Sequence, residues 1–240
     1  MVMLKKRIVQ IIYRAIVVLI GGYFLIANSG IGNGTFTFMK IIYFPYFANV
    51  VYYIYFVLDF LYALVDYLCG TKKSRESVCL IAKFSGALMI LFSFIFANAF
   101  LIEEYGSMFE AIYWEETKTF SYHFIMPILY LLDYWFLTDH MEIKRHYPFI
   151  AMVIPLLYFS LIMIRGGFLL QDPTYEGIVY PYEIIDVSIH GTALVLVRIF
   201  LLLAVYSGGA ALSYFWNRFV KKIRVMYRLK KATTNSKKKN

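Results

Sequence analysis

The sequence predicts an all-α polytopic membrane protein, a bundle of six transmembrane helices with both termini in the cytoplasm. Three observations predict it: the composition, the lengths of the apolar runs, and the alternating sign of the charge between them. Of 240 residues, 61% are hydrophobic, 20% aromatic and 16% charged, and the mean hydropathy is +0.64. Soluble domains carry about a quarter charged residues and under half apolar ones, so a water-soluble globule, a disordered chain and a fibrous repeat are poor fits. The 22 Phe and 22 Tyr suit helices whose outer faces meet lipid and whose ends lie among headgroups. No polar stretch is long enough to form a separate enzymatic domain.

Each helical residue rises about 1.5 Å, so about 20 apolar residues cross a hydrocarbon core about 30 Å thick. The expected crossings are Ile8 to Ala27, Ile42 to Leu68, Val78 to Ile102, Tyr122 to Leu137, Tyr147 to Ile164 and Thr192 to Val220. The first follows Lys5, Lys6 and Arg7 as a secretory leader would, but its apolar run is too long for one and five more follow, so an uncleaved crossing is expected. Lysine and arginine accumulate in cytoplasmic loops. Lys5, Lys6, Arg7 and Arg14 precede or enter the first run, Lys72, Lys73 and Arg75 follow the second, and Lys144 and Arg145 follow the fourth; those segments are read as inside. Glu103, Glu104, Glu110, Glu115 and Glu116 follow the third run, and Asp172, Glu176, Glu183 and Asp186 follow the fifth; those are read as outside.

Residues 1–220 are thus expected to form one transmembrane domain and residues 221–240 a basic cytoplasmic tail. The net charge of +9 comes from the ends, because residues 218–240 hold ten Lys or Arg and no acid. Such a strip, with Phe219, Val220, Ile223 and Met226 interleaved, either fixes the C-terminus inside or lies on anionic lipid of the inner leaflet at about 1 kcal/mol per charge. Nothing aromatic or ordered supports nucleic-acid binding. Cys69 and Cys79 flank an inner loop without a nearby His, so free thiols and no metal site are expected. No cofactor motif is present: phosphate loop, nucleophile elbow and zinc-binding helix are all missing.

Ionisable residues inside the bilayer are costly and face a cavity or a partner. Those expected there are Asp59, Asp66, Lys83, His123, Asp133, Arg165 and Arg198. Asp66 has Lys83 or Lys72 as candidate partners, and Arg198 is the expected partner of Asp59. On the fourth run His123, Pro127, Tyr130 and Tyr134 form one helical stripe. Asp133 lies about 80° around and about 15 Å along from His123, too far to form a dyad with it. A lone imidazole near the outer mouth is either a helix-to-helix hydrogen-bond partner or a general base, which needs a hydroxyl or water within reach. Residues 166–186 mix apolar and acidic residues with two prolines. They are expected to form a cover over the outer face, because proline removes hydrogen bonds that lipid cannot replace.

Several of these residues recur in one order: His123-x3-Pro127-x5-Asp133, Tyr147-Pro148, Pro155-Leu156-Leu157-Tyr158, Arg165-Gly166, and Tyr180-Pro181-Tyr182-x3-Asp186-x4-Gly191. Together they resemble the Pr-six-Pr family of bacterial six-span membrane proteins. That family is distantly similar to the androgen-induced transmembrane hydrolases of animals, which cleave fatty acid esters of hydroxy fatty acids with an embedded threonine and histidine. The resemblance implies that His123 stands where the catalytic histidine would be. It also implies a Phe-Thr-x-x-Ser-Asn opening to the second crossing. Phe44 and Asn49 match, whereas Pro45 and Ala48 occupy the Thr and Ser positions.

Three functions are therefore carried forward. The first is hydrolysis of a lipid-like ester, with His123 as base, Asn49 as orienter or oxyanion donor, and Tyr46 or water attacking the carbonyl. The second is binding of a lipid or small molecule without chemistry. The third is transport along a path through Asp59, Asp133 and Arg198. Arg165, Tyr180, Tyr182 and Asp186 complete the polar residues expected to line or support an outward-opening pocket among the second, fourth and sixth crossings. The expected partners are the cell-membrane bilayer, a lipid-like ligand and anionic lipid at the tail.

Overall fold

The computed structural model describes residues 2–29, 41–70, 77–105, 120–137, 143–172 and 174–237. Every regular element among them is helical. Helix α1 is Val2–Ser29, α2 is Phe44–Leu68 and α3 is Leu80–Tyr105. Helix α4 covers residues 121–137 in three segments, with wide π turns at Ser121–Ile125 and Asp133–Leu137 around an α-helical Met126–Leu132. Helix α5 is Tyr147–Leu169. A 3-10 turn, Glu183–Ile185, and a single helical turn, Val187–His190, lead into α6, Thr192–Lys237.

Proline sets several of these boundaries. Pro45 and Pro148 stand in the first turns of α2 and α5, where a missing N–H costs nothing. Pro155 removes the donor that would reach the Ala151 carbonyl, and α5 loosens into a turn at Met152. Pro127 does the same to His123: it has no N–H for that carbonyl and its ring crowds it. The preceding turn widens accordingly, and the Met126 N–H reaches back five residues to the Ser121 carbonyl. His123 therefore projects from a π turn, not from the regular stripe expected of the sequence.

Four helices are long and apolar enough to cross a membrane: Arg7–Ala27, Phe44–Leu68, Tyr147–Leu169 and Thr192–Ile223. Two further apolar stretches, Leu80–Phe96 and His123–Leu137, are shorter. The outer surface agrees with a lipid environment. Leu19 is 74% exposed, Phe149 77% and Leu212 71%, and contiguous apolar exposure of this kind is foreign to soluble monomers. Helix α6 is 46 residues long, about 69 Å. It runs unbroken through residue 220, the boundary expected for the tail.

Helix α2 packs between α1 and α3, and α4 lies against all three. Tyr52, Phe56, Phe84, Met89 and Tyr130 are the fully buried heart of this group, with the Tyr52 and Tyr130 rings edge to face at 4.9 Å. Gly86 makes the α2–α3 approach possible, since a Cβ there would sit 2.1 Å from Cδ2 of Tyr52. Small residues at such crossings are the usual device by which membrane helices pack closely, lipid being as apolar as the side chains it replaces.

Candidate functional site

Two polar constructions lie at different levels along the helices. At the level of Arg14, midway along α1, four charged side chains from four helices meet with no exposed surface. Arg14 Nε lies 2.9 Å from Asp133 Oδ1, and Arg14 Nη2 lies 3.1 Å from Asp59 Oδ2. Lys83 Nζ lies 2.9 Å from Asp59 Oδ2 and also contacts Asp133 Oδ2. Asp59 Oδ1 accepts the Val78 N–H at 2.9 Å and the Tyr55 hydroxyl at 3.3 Å. Two cations face two carboxylates, so the tetrad is neutral. Burying any one of these charges alone would be costly, and the mutual attraction plus the added hydrogen bonds offset that cost only while all four are present.

This arrangement corrects two expectations. Arg198 is not the partner of Asp59: it donates to the Ile184 carbonyl at 3.1 Å, while Asp59 is held by Arg14 and Lys83. Lys83 is likewise engaged by Asp59 and Asp133, not by Asp66; Lys72 lies outside the described residues. In the sequence Arg14 reads only as an orientation signal. Its position seven residues past Arg7, inside an apolar run, was the available sign that it faces other helices.

At the other level is a cavity of about 670 Å³. Its walls are the start of α2 from Tyr43 to Tyr46, Phe92, Ser93 and Phe96 of α3, His123 of α4, Tyr158 and Phe159 of α5, residues 181–185, and Leu202 of α6. Most of this lining is aromatic or aliphatic. His123 and Tyr46 share the cavity as expected. Asn49, one turn further along α2, is buried, does not line it, and donates its Nδ2 to the Pro45 carbonyl at 2.8 Å. Asp59 and Asp133 do not line it either.

Residues 181–185 close one side of the cavity as a cover, and the conspicuous motif residues hold that cover and the segment from Thr174 leading to it in place. Arg165 donates to the carbonyls of Val179 and Ile178 and to the Tyr175 hydroxyl. The ring of Tyr180 occupies the space a side chain at position 166 would need, with its Cζ 2.2 Å from a Cβ placed on Gly166. The Phe44 N–H donates to the Tyr182 hydroxyl at 2.9 Å, and the Tyr158 hydroxyl donates to the Ile42 carbonyl. Asp186 caps the turn Val187–His190 through the N–H of Ser188. Arg198, from α6, holds the Ile184 carbonyl. Arg165, Arg198, Tyr180 and Asp186 are thus fastenings of the cover, and Tyr182 is both fastening and wall. Just past the C-terminal end of α5, Asp172 accepts from the Thr174 hydroxyl and N–H, which hold its carboxyl below the usual carboxylate range.

One residue of the cavity wall was not anticipated. Ser93 is 1% exposed, and its Oγ has no hydrogen-bond partner among the described residues. Serine is so common among packed membrane helices that no sequence pattern marked it. Of the other hydroxyl residues flanking these helices, Thr35, Thr37 and Thr119 lie outside the described residues, and Ser121 is fully buried. Cys69 and Cys79 are exposed and form no disulfide. Comparison with protein-family models, with curated proteins and with solved structures gave no match.

Proposed function

We propose that this chain is a six-crossing protein of the cell membrane with both termini inside, whose outward cavity takes the acyl portion of a lipid-like ester, and that His123 acts there in hydrolysis of that ester. The observation that carries the reading is the cavity itself: an apolar chamber in the size range of small-molecule sites, with very few polar groups and an imidazole among them. An acyl chain fits such a lining, and an ester carbonyl needs a proton-transfer group beside it. The charge pattern supports the orientation, because the cavity end is the end at which acidic loops were expected. The resemblance to six-span membrane hydrolases gives His123 the same role.

The test is turnover of a panel of acyl esters by purified protein in detergent, compared with His123→Ala. A loss of about 100-fold or more is expected for a general base, and equal turnover removes the reading. A second reading is retention of a lipid without chemistry, favoured by Pro45 and Ala48 standing where a threonine hydrolase would carry hydroxyls. It predicts a lipid that copurifies with wild-type protein and persists in His123→Gln. Transport loses its main motive, because Asp59 and Asp133 are sealed in a neutral tetrad and Arg198 holds the cover.

A further inference from the structure

We propose that Ser93 is the nucleophile of this site, paired with His123 across the α3–α4 interface; the inference rests on the hydrolase reading and supplies the hydroxyl that Pro45 and Ala48 cannot.

Three observations place Ser93 and His123 on one chamber at similar depth, with no hydrogen bond joining them in the resting structure. Both line the same cavity. Their immediate neighbours touch across the helix interface, the rings of Phe94 and Phe124 meeting edge to face at 6.1 Å. The third is register. Lys83 on α3 and Asp133 on α4 are joined by an ion pair. Ser93 lies ten residues outward from Lys83 on one helix, and His123 lies ten residues outward from Asp133 on the other. At about 1.5 Å per residue Ser93 stands about 15 Å from that pair, and His123, whose helix ends in π turns, stands at similar depth.

The state of the hydroxyl also favours this role. A helical serine normally turns its hydroxyl back to a carbonyl of the preceding turn. That of Ser93 is buried on the cavity wall with no hydrogen-bond partner among the described residues, and a desolvated hydroxyl without a partner calls for an explanation in a bound molecule or a reaction. The N-terminus of α2, a 25-residue helix, opens on the same chamber at Tyr43 to Tyr46. The positive end of its dipole is suited to negative charge developing on a carbonyl oxygen.

The chemistry balances with water as the only co-reactant. Ser93 Oγ attacks the ester carbonyl carbon and its proton passes to the His123 imidazole. The carbonyl–alkoxy bond then breaks, the imidazolium returns the proton to the departing oxygen, and the alcohol leaves. Water next attacks the acyl-serine with His123 again accepting the proton. The acyl–Oγ bond breaks, Oγ regains the proton, and the carboxylic acid departs.

The experiment uses full-length protein in detergent or nanodiscs, treated with a long-chain alkyl fluorophosphonate and mapped by peptide mass spectrometry, alongside ester turnover. An adduct on Ser93 that disappears in His123→Ala, with turnover lost by about 1,000-fold or more in Ser93→Ala, is the expected result. Ser93→Cys keeps the volume and should move labelling from the fluorophosphonate to a long-chain thiol reagent, which holds even where Ser93→Ala folds poorly. Wild-type turnover retained within threefold in Ser93→Ala, or an adduct elsewhere, overturns the assignment of Ser93 and leaves the hydrolase reading standing. Wild-type protein with neither turnover nor adduct overturns both.

Discussion

Replacing Lys83 by Met keeps most of the side-chain volume but leaves Arg14 as the one cation between Asp59 and Asp133. Lys83 Nζ sits 2.9 Å from Asp59 Oδ2; at an effective dielectric constant near 20 that contact alone is worth about 6 kcal/mol before desolvation is subtracted. Removing one partner from a buried pair typically costs about 3–5 kcal/mol, because the remaining charge is stranded. At about 2–4 °C per kcal/mol for a chain of this size, the unfolding midpoint in detergent should fall by ~6–20 °C, read by tryptophan fluorescence. The decisive comparison is Lys83→Met combined with Asp133→Leu, which restores neutrality as an Arg14–Asp59 pair at 3.1 Å. Its midpoint should lie above that of Lys83→Met alone, since apolar replacement of a complete buried pair is often neutral or better. A double variant as unstable as the two single variants added together would refute the argument that the four charges act as one neutral unit.

The cover and the helix crossing give further expectations. Gly166→Leu should drive the Tyr180 ring from its seat and speed limited proteolysis within residues 170–186, with α1–α4 remaining folded; an unchanged cleavage rate counts against Tyr180 as a fastening. Gly86→Ala should lower stability by about 1–3 kcal/mol through overpacking against the fully buried Tyr52, seen as a lower midpoint in the same thermal assay. Arg198→Gln should loosen the cover while leaving the tetrad intact, so its midpoint should fall less than that of Arg14→Gln. Acidification should release the Asp172–Thr174 turn. Its carboxyl is held below the ordinary range in the folded chain, so the stabilisation is present at neutral pH and is lost as pH falls through that lowered value; amide exchange at Thr174 should quicken there and not above it.

The helices were legible because hydropathy and length report directly on apolar surroundings: the six expected runs fall on helices, four of them long and apolar enough to cross a membrane and two shorter. Partners were not legible, because pairing depends on rotation and register between helices, which a single span does not encode. Asp59 and Arg198 seemed matched by depth alone, yet Arg198 turns to the Ile184 carbonyl and Arg14 takes its place. The motif residues Arg165, Gly166, Tyr180 and Tyr182 were visible as a set, but their meaning was not. Arg165 needs carbonyls to hold and Gly166 leaves room for one ring, and both facts appear only once residues 170–186 fold back. Ser93 was invisible for the opposite reason, since a single serine among Phe92, Phe94 and Phe96 carries no spacing signal.

The two polar constructions are mechanically connected. The helices that contribute Asp59, Lys83 and Asp133 to the tetrad are the ones that carry Tyr46, Ser93 and His123 to the cavity. Catalytic groups have to be held within about 0.5 Å of their productive positions, and lipid offers no hydrophobic force to hold helices in register. A neutral knot of four charges does so, because sliding any one helix by a turn, about 5.4 Å, would pull apart the ion pairs among Arg14, Asp59, Lys83 and Asp133. The cavity end is held by the hydrogen bonds of the cover, among them Arg165 to Val179 and Arg198 to Ile184, and by the buried Tyr158–Ile42 bond. On the proposed hydrolase reading, substitutions in the tetrad should impair ester turnover even in protein that remains folded, and do so through the rate of the chemical step. Changes at Arg165 or Arg198 should act on entry of the ester, raising KM with kcat nearly unchanged. The opposite division of effects would mean that the register of α3 and α4 is set elsewhere and that the knot serves stability alone.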